Sequence, residues 1–252
     1  MKAMTGKMFR LGWGIVALLT LLSTLVVSQG TQRIRGDSDK KAEKTRHFAT
    51  RQANIMFIRS DKIEVAIAPN GQFTIGIPNG PILLFGHPNP WSSATTIQVD
   101  GIDYWNYHRE QLAPIIDGPR NESELSNVTV WNINGIRVTQ YLTIVGEQLD
   151  VVKITYIIKN NTDEPHEVGL RLMLDTMLGN NDGAPFRVPG VGAVTREREW
   201  TGGQVPAYWQ AFDRLEAHTV ATQGTLAGGE ATLPDRLVVA NWWAINDTPW
   251  DF

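Results

Sequence analysis

A chain of 252 residues with 42% hydrophobic and 19% charged side chains can bury a core, which excludes a disordered protein. It has no cysteine, which excludes disulfides, thiol nucleophiles and thiolate metal sites. Charge is uneven: residues 30–52 hold seven basic and three acidic side chains, residues 53–252 hold 13 basic and 23 acidic, and so acidic a body argues against nucleic acid as a partner.

The first predicted element is an N-terminal hydrophobic helix. Lys2, Lys7 and Arg10 precede the apolar run LGWGIVALLTLLSTLVV, and no acid appears before Asp37. This is the layout of a secretory signal, with Val26 and Ser28 at the small-residue positions before a cleavage point at Gln29. The same run, residues 11–27, also suits an uncleaved membrane anchor with its positive end inside. Residues 1–28 are therefore read as signal peptide or anchor, and residues 29–52 as a basic linker. The rest of the chain is then extracytoplasmic, either secreted or held at the cytoplasmic membrane of a bacterium.

From residue 53 the pattern changes to period two with turn punctuation, the mark of short antiparallel strands. KIEVAIAP, QFTIGIP, TTIQVDGIDYWNY, NVTVWNINGIRVTQYLTIVG, QLDVVKITYIIKN and HEVGLRLMLDTML follow one another. Asn70-Gly71, Asn79-Gly80, Asp100-Gly101 and Asn134-Gly135 stand where tight turns are needed. Residues 184–203 read as a long excursion with one short strand. PAYWQAFDRLEA reads as a short strand or helical turn, and HTVATQGTL and DRLVVANWWAI as two more strands. No twelve-residue stretch after residue 52 has helical periodicity. The prediction is an all-β domain over 53–252, a large antiparallel two-sheet β-sandwich, with the apolar ending NDTPWDF suggesting a chain cut short at its C-terminus.

Two constellations could carry function. In LMLDTMLGNNDGAPF an apolar central strand ends at Asp175 and breaks into oxygen-rich residues. Asp175, Asn180 and Asp182 are candidate calcium ligands, and a hydrogen-bonded turn is the alternative. The second is aromatic. Sugar rings stack on exposed aromatic faces, so Trp105, Tyr208, Trp209, Trp242 and Trp243 are candidate contacts for a carbohydrate or cell-envelope polymer, against core packing as the alternative. Acid–base groups are sparse: His108-Arg109-Glu110 could line a cleft, and Glu197 and Glu199 share a strand face. No catalytic residue is assigned, and no cofactor other than calcium is implied.

The block IKNNTDEPHEVGLRLMLDTMLGNNDGAPF resembles one in uncharacterised exported β-rich bacterial proteins. The strand pattern is similar to that of the galactose-mutarotase-like supersandwich. That resemblance implies a sugar-binding sandwich and, in its enzymes, a His and a Glu as acid and base. The expected function is a binding or structural role. A sugar-active enzyme of epimerase or glycosidase type and an envelope assembly module pairing through a sheet edge are the alternatives.

Overall fold

A computed structural model of the chain describes residues 2–11, 16–24, 54–107 and 112–251, the first two segments as backbone only. The expected cleavage site, the basic linker 29–52 and the cluster His108-Arg109-Glu110 lie outside the described residues.

The described chain is mostly β-strand, with almost no helix. It forms eighteen strands in three sheets, and every strand pairing is antiparallel. The six-stranded sheet contains β6 (Ala94–Val99), β7 (Ile102–Trp105), β12 (His166–Leu174), β15 (Arg198–Thr201) and β18 (Arg236–Ala240), with β1 (Lys2–Leu11) between β12 and β18. The nine-stranded sheet runs from β8 (Ile115–Ser123) through β9 (Ser126–Ile133), β10 (Ile136–Val145) and β11 (Val151–Asn160) to β2 (Val16–Thr24). It continues through β17 (Ala221–Thr225), β16 (Tyr208–Phe212), β13 (Phe186–Val188) and β14 (Gly192–Val194). A small sheet of β3 (Met56–Arg59), β4 (Glu64–Ile67) and β5 (Phe73–Gly76) completes the body.

The alternation read from the sequence does the work of assembly. Val168, Leu170, Leu172 and Leu174 of β12 share one core with Ile154, Tyr156 and Ile158 of β11 and with Val65 and Ile67 of β4. This gives a sandwich-like all-β architecture whose sheets meet through their apolar faces. The hairpins turn where the sequence predicts: Asn134-Gly135 has φ of 50° and 88°, and Asp100-Gly101 has 50° and 78°. Two successive positive φ values match the twist of the flanking strands, and Asn, Asp and Gly tolerate them.

The N-terminal hydrophobic helix is not confirmed: residues 2–11 and 16–24 run as β1 and β2, hydrogen-bonded into interior positions of the two large sheets. Two expectations are corrected. The excursion 184–203 contains three short strands, because Phe186 and Val188 alternate into the core and β13 finds a partner in β16. The last predicted strand stops at Ala240. Residues Trp242–Ile245 form a helical turn because the Asn241 side chain caps it, accepting the Trp243 backbone N–H at 3.0 Å.

Candidate functional site

The site grows out of the period-two rule on β12. Its core-facing residues alternate with Gly169, Arg171 and Met173, which lie on the outer face of the six-stranded sheet. Met173 there joins a second apolar cluster with Trp91, Ala94, Trp105, Tyr107, Val238, Ala240, Trp242 and Ile245, edged by Phe85. Trp105 and Tyr107 stack at 5.3 Å between ring centres. Phe85, Trp91, Trp242 and Trp243 form a row of edge-on contacts, with centroids 5.5, 5.9 and 4.9 Å apart. The Trp242 indole N–H donates to the Ser92 carbonyl at 3.3 Å. The row ends at the surface: Trp243 is 46% exposed.

Arg171 locks the chain that follows onto the same face. Its guanidinium is buried and donates to the carbonyls of Ile245, at 3.2 Å, and Thr248. Burial pulls its pKa down to about 10, with the nearby Arg236 charge adding to the effect, so it stays cationic at neutral pH. The Trp250 ring lies against Gly169, where a Cβ would come within 2.3 Å of it.

Asp175 continues the outer row beyond Met173 and is fully buried. Its backbone N–H donates to Ser93 Oγ at 3.0 Å, and its carbonyl accepts from Phe85 at 2.7 Å. The other two candidate ligands do not share its environment, since Asn180 and Asp182 are exposed. Backbone bonds exchanged between Leu178 and Asn181 close that turn, and the Asn181 amide is spent on the Asp213 carbonyl at 2.8 Å. Among the described residues no group of three or more His, Asp or Glu side chains converges.

The aromatic candidates divide. Trp105, Trp242 and Trp243 meet in the outer cluster, but the first two are covered. Trp209 is in the main core, against Phe186 and Gly224, while its neighbour Tyr208 is exposed on the other face of β16. Glu197 and Glu199 do not act as a carboxylate pair: Glu197 accepts the Asn241 N–H at 3.0 Å, and Glu199 pairs with Arg236.

Tertiary structure also assembles groups that no sequence spacing announces. His87 Nε2 lies 3.2 Å from Glu64 Oε1, both largely enclosed, and Arg59 holds the other carboxylate oxygen at 2.5 Å. Burial lowers the His87 pKa below its ordinary 6.5, against the pull of Glu64. His166 joins Asp100, at 2.6 Å, to the Thr162 hydroxyl, at 3.0 Å, at one rim of the body. The His166 hydrogen bond holds the Asp100 carboxyl below the usual carboxylate range. The partners lie 23 and 66 residues apart in the chain, and only the turn residues Asp100-Gly101 and NNTDEP hinted at the second group. No known protein family, curated protein or solved structure matches the chain.

Proposed function

We propose that the protein is an exported or membrane-anchored bacterial sandwich of the supersandwich type. Its role is binding rather than catalysis, and its ligand is a carbohydrate or cell-envelope polymer. The carrying observation is Trp243, an exposed indole at the end of the row Phe85–Trp91–Trp242. An aromatic face held from beneath loses little side-chain freedom when a sugar ring stacks on it. The cap at Asn241 fixes the turn that presents it, and the exposed Asp247 and Glu197 stand near in the chain or bonded to that turn. The charged N-terminus with its apolar run supports export.

The purified protein, with and without calcium, is to be tested on a glycan array. Binding to a glycan that Trp243→Ala removes, with an unchanged melting temperature, is the expected result. Failure to bind any glycan would overturn the carbohydrate reading.

A second reading, a sugar-active enzyme, draws on the His87–Glu64 contact. It stays second because both side chains are enclosed and Arg59 already neutralises Glu64. Turnover of any sugar substrate that Glu64→Gln abolishes would reverse the order.

A further inference from the structure

Eight of the nine strands in the largest sheet, all but β8, contain no Asp or Glu, and they hold four basic residues, Arg137, Lys153, Lys159 and Arg187. Residues 53–252 as a whole hold 13 basic and 23 acidic side chains, so this sheet runs against the charge of its own body. The period-two rule puts all four cations on one face. Val138 and Leu142 of β10, Ile154 and Ile158 of β11, and Phe186 and Val188 of β13 are core residues. The basic residues alternate with them and share the outer face.

Two of the four are engaged. Lys153 pairs with Glu230, while Arg187 lies over the Phe212 ring at 5.2 Å and donates to the Leu215 carbonyl at 3.1 Å. Arg137 and Lys159 are both exposed, and among the described residues neither side chain forms a hydrogen bond or ion pair. The Asp117 carboxylate feels the Arg137 charge, but Arg120 holds both of its oxygens, at 3.2 and 3.3 Å. The register sets Arg137 directly opposite Lys159 on one side and opposite the exposed Asn132 on the other. These three residues make one row across β9, β10 and β11, about 9–10 Å wide at the usual strand spacing. Like charges directly opposite each other cost a sheet stability. An anionic group seated between them would relieve that cost. The guanidinium offers a planar fork that fits a carboxylate or phosphate, the ammonium adds a second charge, and the amide can meet a hydroxyl.

We propose that Arg137, Lys159 and Asn132 form the anion subsite for an acidic cell-envelope polymer, one that carries carboxylate or phosphate groups along a hydroxyl-rich chain. The proposal rests on the reading of the protein as a polymer binder and gives that polymer its charge. Tyr141 and Thr143, half-buried on the same side of β10, continue a polar track along the strand. A single chain meets only this local row. An anionic bilayer would meet the whole body, whose 23 acids against 13 basic residues oppose the approach.

The purified chain is to be run by affinity electrophoresis in gels containing polygalacturonate, poly(glycerol phosphate) or neutral dextran, and mixed in parallel with phosphatidylglycerol vesicles. Retardation by one or both anionic polymers is expected, weakening as salt is raised. Retardation by polygalacturonate alone identifies a carboxylate ligand, and by poly(glycerol phosphate) alone a phosphate. Arg137→Gln should weaken the apparent affinity about tenfold or more. Arg137→Gln with Lys159→Gln should remove it, and Lys159→Arg should keep it. Lys62→Gln, at an exposed cation paired with Asp61 elsewhere on the surface, should leave it unchanged. Because the double variant relieves a like-charge pair, it should melt at or above the parent's temperature. Three results overturn the subsite alone: anionic polymers that bind no better than dextran, a double variant that binds like the parent, or one that melts below it. The polymer reading then stands if Trp243→Ala still removes glycan binding. Binding to the vesicles and to neither anionic polymer overturns the subsite in favour of a membrane surface. No binding to any polymer, neutral or anionic, overturns both the subsite and the reading on which it rests.

Discussion

Tyr156 and Thr95 hydrogen-bond to each other inside the sandwich, Oη to Oγ1 at 2.7 Å, and so tie the nine-stranded sheet to the six-stranded one. The Tyr156 hydroxyl also donates to Gln140 Oε1 at 2.7 Å, and the Gln140 amide donates to the Gly71 carbonyl at 3.1 Å. Tyr156 is completely buried, and that burial raises its pKa, so the phenol stays neutral and acts as a donor.

Tyr156→Phe removes one hydroxyl and strands two buried groups. The expected cost is about 1–3 kcal/mol, read as a shift in the denaturation midpoint without a change in slope. Thr95→Val should cost less, because its loss leaves the Tyr156–Gln140 bond intact. The double variant should be less destabilised than the sum of the two, since both act on one network. Strict additivity would show that the contact does not couple the sheets.

Arg171→Met keeps the length of the side chain but removes the donors that hold the Ile245 and Thr248 carbonyls. A loss of about 1.5–3 kcal/mol is expected, the range for hydrogen bonds from a charged group. The change should appear first as protease sensitivity after residue 240. Equal resistance of variant and parent to limited proteolysis would show that Trp250 against Gly169 suffices.

Asp175→Ala should destabilise by about 1–3 kcal/mol if the fully buried carboxylate is compensated by its surroundings. Asp175→Asn should cost less. Because Asn180 and Asp182 are exposed while Asp175 is enclosed, the parent's melting temperature is expected not to move on adding chelator. A fall with chelator, matched by Asp175→Asn being as damaging as Asp175→Ala, would establish a bound cation instead.

His87 carries a pH dependence of defined sign. Its folded-state pKa lies below the ordinary 6.5, chiefly through burial, so the unfolded chain binds its proton more readily. Its contribution is complete above about pH 6.5 and is lost as pH falls below that value. Melting curves between pH 7.5 and 5 should therefore fall more steeply for the parent than for His87→Gln. Parallel curves would mean that the Glu64 charge cancels the burial.

The strands of the central body were legible because one periodicity decides them. Val168, Leu170, Leu172 and Leu174 at every second place, or Asn134-Gly135 between two alternating runs, leave few other structures open. The end of the chain was misread for a local reason. VVANWW continues the apolar run of β18, and only the Asn241 cap marks the change to a helical turn. Which aromatic candidates are covered was not legible, because composition counts indoles without saying which lie in a core. Trp209 has Gly224 beneath it and Trp242 has Trp91 beside it, neighbours supplied by other strands and loops.

By itself the sequence determined what each residue's own neighbours in the chain decide: the all-β class, the turn positions, the strand in which Leu170 and Leu172 face one way and Arg171 and Met173 the other, and the absence of thiol chemistry. Only the tertiary structure decided which groups meet. His87 reaches Glu64, His166 reaches Asp100, and Asp175 is separated by burial from Asn180 and Asp182. The reason is physical. Strand periodicity is a property of one segment, whereas pairing across 23, 66 or more residues depends on sheet order, and no local signal in these segments specifies that order.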